Sequence, residues 1–260
     1  MPICGAPTGG QAARRLPAGE YQRMKLRTRI VTGPKPQAEP ALDQRQIVQA
    51  ALGLLDEGGF DGLTMRSLAQ KLGIKAASLY WHVRNKQELL SLLADEICAP
   101  MREPDRALPW RRRLEELAHE SRRVLLAHRD AARVLAHSGG PAGPYRLRLT
   151  EIMLRTLLDA GFTHKDAAYA GFLLNDYVTT FVLEETQNAP AAATDGAEAA
   201  AAGAQNWVAA LPATEYPSVV ALADYLLAPD VDERFQFGIE ILRNGLETRL
   251  ERQGGNGPAK

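Results

Sequence analysis

The stretch Thr64-Met65-Arg66-Ser67-Leu68-Ala69-Gln70-Lys71-Leu72-Gly73-Ile74-Lys75-Ala76-Ala77-Ser78-Leu79-Tyr80-Trp81-His82-Val83-Arg84-Asn85 reads as two short helices joined by a tight turn. Thr64 is expected to cap the first, because its hydroxyl accepts a free backbone N–H of the opening turn. Met65, Leu68, Ala69 and Leu72 then follow at helical spacing. Gly73 ends the helix, since glycine enters the left-handed conformation without a Cβ penalty. A second helix is expected from near Lys75, with Leu79 and Val83 facing inward. Lys75, Ala76, Ala77, Ser78, Tyr80, Trp81 and His82 then form an outward surface suited to a DNA major groove.

Two short helices also occur in many bundles that read no DNA; the wording of the stretch is what separates the readings. Leu63-Thr64-Met65-Arg66, then Leu68-Ala69-Gln70-Lys71-Leu72-Gly73, then Leu79-Tyr80-Trp81-His82-Val83-Arg84-Asn85-Lys86 resemble the TetR family of bacterial repressors, in its tetracycline-repressor-like branch. The resemblance runs more loosely from about Asp43 to about Leu250. It implies an all-α fold: a three-helix helix-turn-helix DNA-binding domain over residues 43–90, then a helical ligand-binding and dimerisation domain over 91–253.

The flanking pattern agrees with that division. Ile47, Ala50, Ala51, Leu54 and Leu55 predict a helix that stops at Gly58-Gly59. Asn85 and Glu88 have capping-box spacing for a fourth helix carrying Leu89, Leu92, Leu93 and Ile97. Pro100, Pro104 and Pro109 mark the passage into the second domain. Helices are expected there over 110–128 and 130–137, then along Leu149, Ile152, Met153 and Leu157 to Gly161. A longer one, capped by Thr163, runs to about Glu185. The Ala/Gly/Pro-rich segment 188–214 is expected to be a flexible loop, with room for one helical turn at 199–202. A short helix follows Pro217, and the last begins after Asp230. Gly238 and Gly245 within it are expected to permit close helix approach, because a mid-helix glycine otherwise costs about 1 kcal/mol. Residues 254–260 read as a disordered tail.

Charge is distributed unevenly although the net charge is zero. Residues 1–42 carry +5, residues 43–100 carry −1 and the remainder −4. A basic arm before an acidic body suits a molecule with one end on phosphate. Arg14, Arg15, Arg23, Lys25, Arg27 and Arg29 would let this arm, disordered in isolation, follow a backbone or enter a minor groove. The alternatives are a solvated tail, or sequence upstream of an initiator at Met24. No apolar run reaches membrane-span length and no secretory core is present, so a cytoplasmic protein is expected. The two cysteines, Cys4 and Cys98, have neither metal-ligand nor disulfide spacing.

By resemblance, the DNA contacts fall to Thr64, Arg66, Lys75, Ala76, Ala77, Ser78, Tyr80, His82 and Lys86. Arg66 matches an arginine that reaches a guanine, and such a bidentate contact is worth about 1–3 kcal/mol of discrimination. Trp81 is read as packing. Met65, Ala76 and Ala77 replace a threonine, a glutamine and a proline of the tetracycline repressor. Alanine loses the bidentate adenine contact that glutamine makes, so a different operator is expected. A homodimer is expected to place two heads on a palindromic site. The resemblance assigns the pairing surface to the helix of Tyr169–Glu185 and the last helix.

Candidate ligand residues are Leu135, His137, Asn175, Asp176, Thr179, Thr180 and Glu184. Leu135 stands where the tetracycline repressor has the histidine that holds magnesium, and Asp176 where it has another histidine. The expected inducer is therefore a natural product or drug other than magnesium-tetracycline, with no cofactor and no metal site. The five histidines are scattered, and no phosphate-cradling glycine loop or nucleophile elbow occurs, which argues against an enzyme. A DNA-binding architectural regulator without a ligand is the standing alternative.

Overall fold

The computed structural model describes residues 42–139, 142–188, 195–227 and 230–255. Among them are twelve helices and no strand. The head comprises α1 (Gln44–Gly62), α2 (Met65–Lys71) and α3 (Ala76–Leu79). Asp43 opens α1 with a full capping box: its carboxylate accepts the Gln46 N–H at 2.7 Å, and Gln46 Oε1 accepts the Asp43 N–H at 3.0 Å. Thr64 does the same for α2, its Oγ1 accepting the Ser67 N–H at 3.0 Å. Gly73 takes φ 68°, which turns the chain into α3. Fully buried Ile47, Ala51 and Leu55 of α1 join Leu68, Leu79 and Val83 in one apolar core.

Two details of the head refine the expectation. Helical geometry is interrupted at Gly59 (φ 68°), where Gly58-Gly59 predicts a stop, but a short helical stretch then resumes through Gly62. A Cβ at Gly59 would meet the Asp130 carboxylate and the Arg129 side chain, so glycine is required for both conformation and space. The second helix is a single turn, after which Trp81 and His82 donate to Ser78 O (3.3 Å) and Leu79 O (2.9 Å) in the tighter i to i−3 pattern.

Helix α4 (Lys86–Cys98) leaves the head. Asn85 accepts the Glu88 N–H at 2.8 Å, but Glu88 does not return the bond to Asn85; it accepts the Arg84 N–H at 2.6 Å and pairs with that guanidinium. These two contacts hold the Glu88 carboxyl below its usual range. Leu89, Leu93, Ala94 and Ile97 of α4 belong to the same core as the head and as Val134, Val178, Val182 and Phe235 of the body, so apolar contact is continuous through this helix.

The body is built from α5 (Trp110–Leu126), α6 (Ala131–His137), α7 (Pro144–Asp159), α8 (His164–Asn188) and α12 (Val231–Gly255). Polar clamps fix α8 against α12 at both ends. Arg122 of α5 grips Glu185 through Nε (2.9 Å) and Nη2 (2.7 Å) and Asp232 through Nη1 (2.6 Å). At the other end Asp166, buried, accepts from Arg249 at 2.8 Å and from Gln253, and its own N–H is capped by Thr163 Oγ1.

The segment expected to be a loop carries α9 (Asp195–Ala209), which packs against α10 (Pro217–Ala221) and α11 (Ala223–Leu227). Alanine has the highest helix propensity, and a run of it needs little burial to favour helix. The last helix likewise continues through Gly255, into the stretch expected to be tail. The basic arm up to residue 41, residues 189–194 of the expected loop and residues 256–260 of the tail lie outside the described residues.

Gly238 of α12 faces Tyr177 of α8, and a Cβ there would overlap the phenol. The Tyr177 hydroxyl donates to Phe235 O at 3.0 Å, and its ring stacks on Phe235 at 5.7 Å. Gly245, by contrast, has nothing within 4 Å of where a Cβ would stand, so close approach within this chain does not explain it. Gly238→Ala is expected to lower stability by about 1–3 kcal/mol through overpacking against Tyr177, and Gly245→Ala to leave it unchanged or raise it, as read by thermal unfolding. Equal loss in both variants would contradict this packing.

Candidate functional site

The α2–α3 stretch of the head is basic and carries no acid of its own. Between Thr64 and Gln87 there is no aspartate or glutamate, against Arg66, Lys71, Lys75, Arg84 and Lys86. Thr64 and Arg66 are exposed at the start of α2, and Lys75, Ala76, Ala77, Ser78, Tyr80 and His82 are exposed along and just after α3. They share one side of the head because Leu68, Leu79 and Val83 anchor the other in the core. Lys71 is turned away, paired with Glu57 at 2.7 Å.

One aromatic position departs from expectation, and one basic position has a further contact. Trp81, expected to pack, is 90% exposed, because the chain has left helix by that point and its ring is uncovered. Lys86 is half-buried, its ammonium 4.6 Å above the Phe60 ring. Arg133 lies 4.4 Å from the same ring and His137 5.1 Å, so Lys86 is part of the junction between head and body.

The body holds a cavity of about 620 Å³ that is open to solvent along α8, where Asn175, Asp176 and Thr180 are exposed. Cys98 at the end of α4, Leu117 and Leu125 of α5, Leu135 of α6 and Met153 of α7 give it apolar walls, and α8 supplies Asn175, Asp176, Thr179 and Thr180. Five of the residues expected from the sequence thus converge: Leu135, Asn175, Asp176, Thr179 and Thr180. His137 does not line the cavity. It sits at the last turn of α6, its Nδ1 2.9 Å from Arg133 O and its ring against Phe60. Glu184 is also outside: one turn beyond Thr180, it pairs with Arg234 of α12 at 3.2 Å.

Arg146 of α7 also lines the cavity, and it is not among the residues expected from the sequence. The signal that could find it is its register. It precedes Leu149 by three residues and Met153 by seven, which puts it on the apolar face of α7. Among the described residues no group of three His, Cys, Asp or Glu side chains could hold a metal ion, and no helix is long and apolar enough to cross a membrane.

A three-helix head whose α2–α3 stretch carries basic residues and no acid, joined through one helix to a helical body with a cavity, defines a DNA-binding regulator with a ligand chamber. Comparison with known proteins agrees: the family model for bacterial regulatory proteins of the tetR family matches residues 47–93, and that for the tetracyclin repressor-like C-terminal domain matches 103–250. The chain belongs to the TetR family. It is 36% identical over 215 residues to the class D tetracycline repressor protein of Escherichia coli, covering 80% of this chain and 91% of that one. Apo ActR from Streptomyces coelicolor superposes with a TM-score of 0.74 at 36% identity, covering 83% of this chain and 100% of the other. ActR in complex with actinorhodin gives 0.72 at 37% identity, over 80% and 96%.

Cys98 offers a reporter inside the chamber. Burial pushes its thiol up to about 11. At pH 8 the native thiol is expected to react with iodoacetamide roughly a hundredfold more slowly than a free cysteine, with full reactivity recovered in denaturant. Fast alkylation of Cys98 in the folded protein, read apart from Cys4 by peptide mapping, would mean the chamber wall is open at α4.

Proposed function

We propose that this TetR-family repressor binds a palindromic operator as a homodimer and is released by a small molecule held in the body. The carrying observation is the cavity itself, walled at once by the end of α4 and by Leu135 of α6. A chamber bounded by the helix that leaves the head is where ligand binding can change the head's position. The architectural reading without a ligand would be favoured by a filled body, and this body is not filled.

In this proposal Arg66 reads a base, and Tyr80, His82, Ser78, Thr64, Lys75 and Lys86 meet phosphates or base edges. Ala76 and Ala77 present methyls that meet thymine methyls. The Trp81 ring joins that surface. Dimerisation uses α8 and α12, where Tyr169, Phe172, Leu173, Phe237 and Ile241 are each more than half exposed in the single chain. A surface of this kind on adjacent helices suits burial against a twin.

The inducer, held by Leu135, Asn175, Asp176, Thr179 and Thr180, is a natural product or drug other than magnesium-tetracycline. Leu135 supplies no ligand to a metal at the position where the resemblance places the magnesium-holding histidine. The complex of ActR, a relative, with actinorhodin supports a natural-product ligand here. The protein works in the cytoplasm on chromosomal or plasmid DNA and carries out no catalysis.

Selection of bound sequences from random duplex DNA should return a palindrome. Arg66→Ala and Tyr80→Ala are each expected to weaken binding to it by about tenfold or more, with thermal unfolding of the body unchanged. Unaltered affinity in both variants would remove the assignment of contacts. Deleting residues 1–42 should flatten the dependence of log K on log salt if the arm touches phosphate; an identical slope would make it a bystander.

A further inference from the structure

Arg146 brings a cation to the chamber wall with part of its donor set unsatisfied. Its Nη1 is buried with no hydrogen-bond partner among the described residues. Its backbone N–H is engaged, donating to Oδ1 of Asp95 on α4 at 2.9 Å, and its carbonyl accepts from Thr150 Oγ1 at 3.0 Å. Asp95 is itself buried, but among the described residues no ion pair joins it to the Arg146 guanidinium. The arginine's backbone is therefore fixed in the first turn of α7, and the residue lines the chamber with its unpartnered Nη1 buried behind the wall. A buried guanidinium nitrogen without an acceptor is costly, and a rotation of the side chain into the chamber, where a carboxylate can meet it in a bidentate fork, relieves that cost.

The opposite wall has a different character. Asn175, Asp176 and Thr179 of α8 offer acceptors suited to ligand hydroxyls and an amide that can donate as well. An anion next to Asp176 would be repelled, so the acidic end of a ligand belongs at Arg146 and its hydroxyls at α8. Between them the walls are aliphatic, with Leu117, Leu125, Leu135 and Met153. We infer that Arg146 anchors the carboxylate of a largely apolar acid in this chamber. This rests on the ligand-release reading above and names its ligand class. Because Asp95 holds the Arg146 backbone from α4, the anchored end of the ligand sits one hydrogen bond from the helix that leaves the head.

The test uses the full-length protein and matched pairs of probes, anthraquinone-2-carboxylate with anthraquinone-2-carboxamide and 2-naphthoate with 2-naphthamide, titrated calorimetrically. At least one acid is expected to bind about tenfold or more tightly than its amide. Arg146→Met should abolish that preference while leaving the amide's affinity and the thermal unfolding unchanged, and Arg146→Lys should keep part of it. Equal affinity within both pairs, a preference surviving in Arg146→Met, or no binding of either acid overturns the proposal. Operator release is scored separately. Neutral compounds that bind and release DNA, with no acid preference, leave the repressor reading standing and remove only the anchor.

Discussion

The backbone N–H of Phe60 meets the Asp130 carboxylate at 2.8 Å, and the way the head is carried depends on this contact. It is available only because two residues adopt left-handed backbone: Gly59 at φ 68°, which bends α1, and Asp130 at φ 55°, which opens α6. Aspartate is among the few non-glycine residues that tolerate that region. Around this bond the Phe60 ring is flanked by Lys86 of α4 and by Arg133 and His137 of α6. Arg133 also pairs with Asp61 at 2.9 Å, and Gln87 donates to His137 O at 2.6 Å. The end of α1, the start of α4 and the whole of α6 are thereby joined, and α6 is a wall of the chamber.

The rest of the body resists deformation by contrast. Arg122 and the Asp166–Arg249 pair clamp α8 to its neighbours at either end, and the Tyr177, Phe181 and Phe235 rings fill the space between, with centroids 5.0–5.7 Å apart. A ligand pressing on the chamber meets this frame on one side and α6 with the end of α4 on the other. In the proposed mechanism the second side yields, and the head moves with it.

Much of the head is legible in the sequence because its signals are local. Thr64 caps within three residues, Gly73 turns within one, and the inward spacing of Leu79 and Val83 needs no tertiary knowledge. What is not legible depends on where helices end. A packed Trp81 follows only if the second helix continues, but α3 is one turn long and the ring stands in the open. His137 and Glu184 lie on the right helices but past the limits of the chamber, since sequence register fixes a face without fixing a depth. Arg146 is the opposite case: its register puts it on an apolar face, where an arginine is unusual enough to signal a chamber. In the alanine-rich segment, how little there is to bury suggests a loop, whereas its high propensity makes α9 helical.

The central claim is that the chamber and the head share one equilibrium, and linkage tests it without assuming a path between them. The affinity of a chamber ligand should be measured for the free protein and for protein saturated with its selected operator. Coupling requires the ligand to bind more weakly on DNA, by about tenfold or more, and by the same factor with which it weakens operator binding. Identical ligand affinity on and off the operator would contradict it.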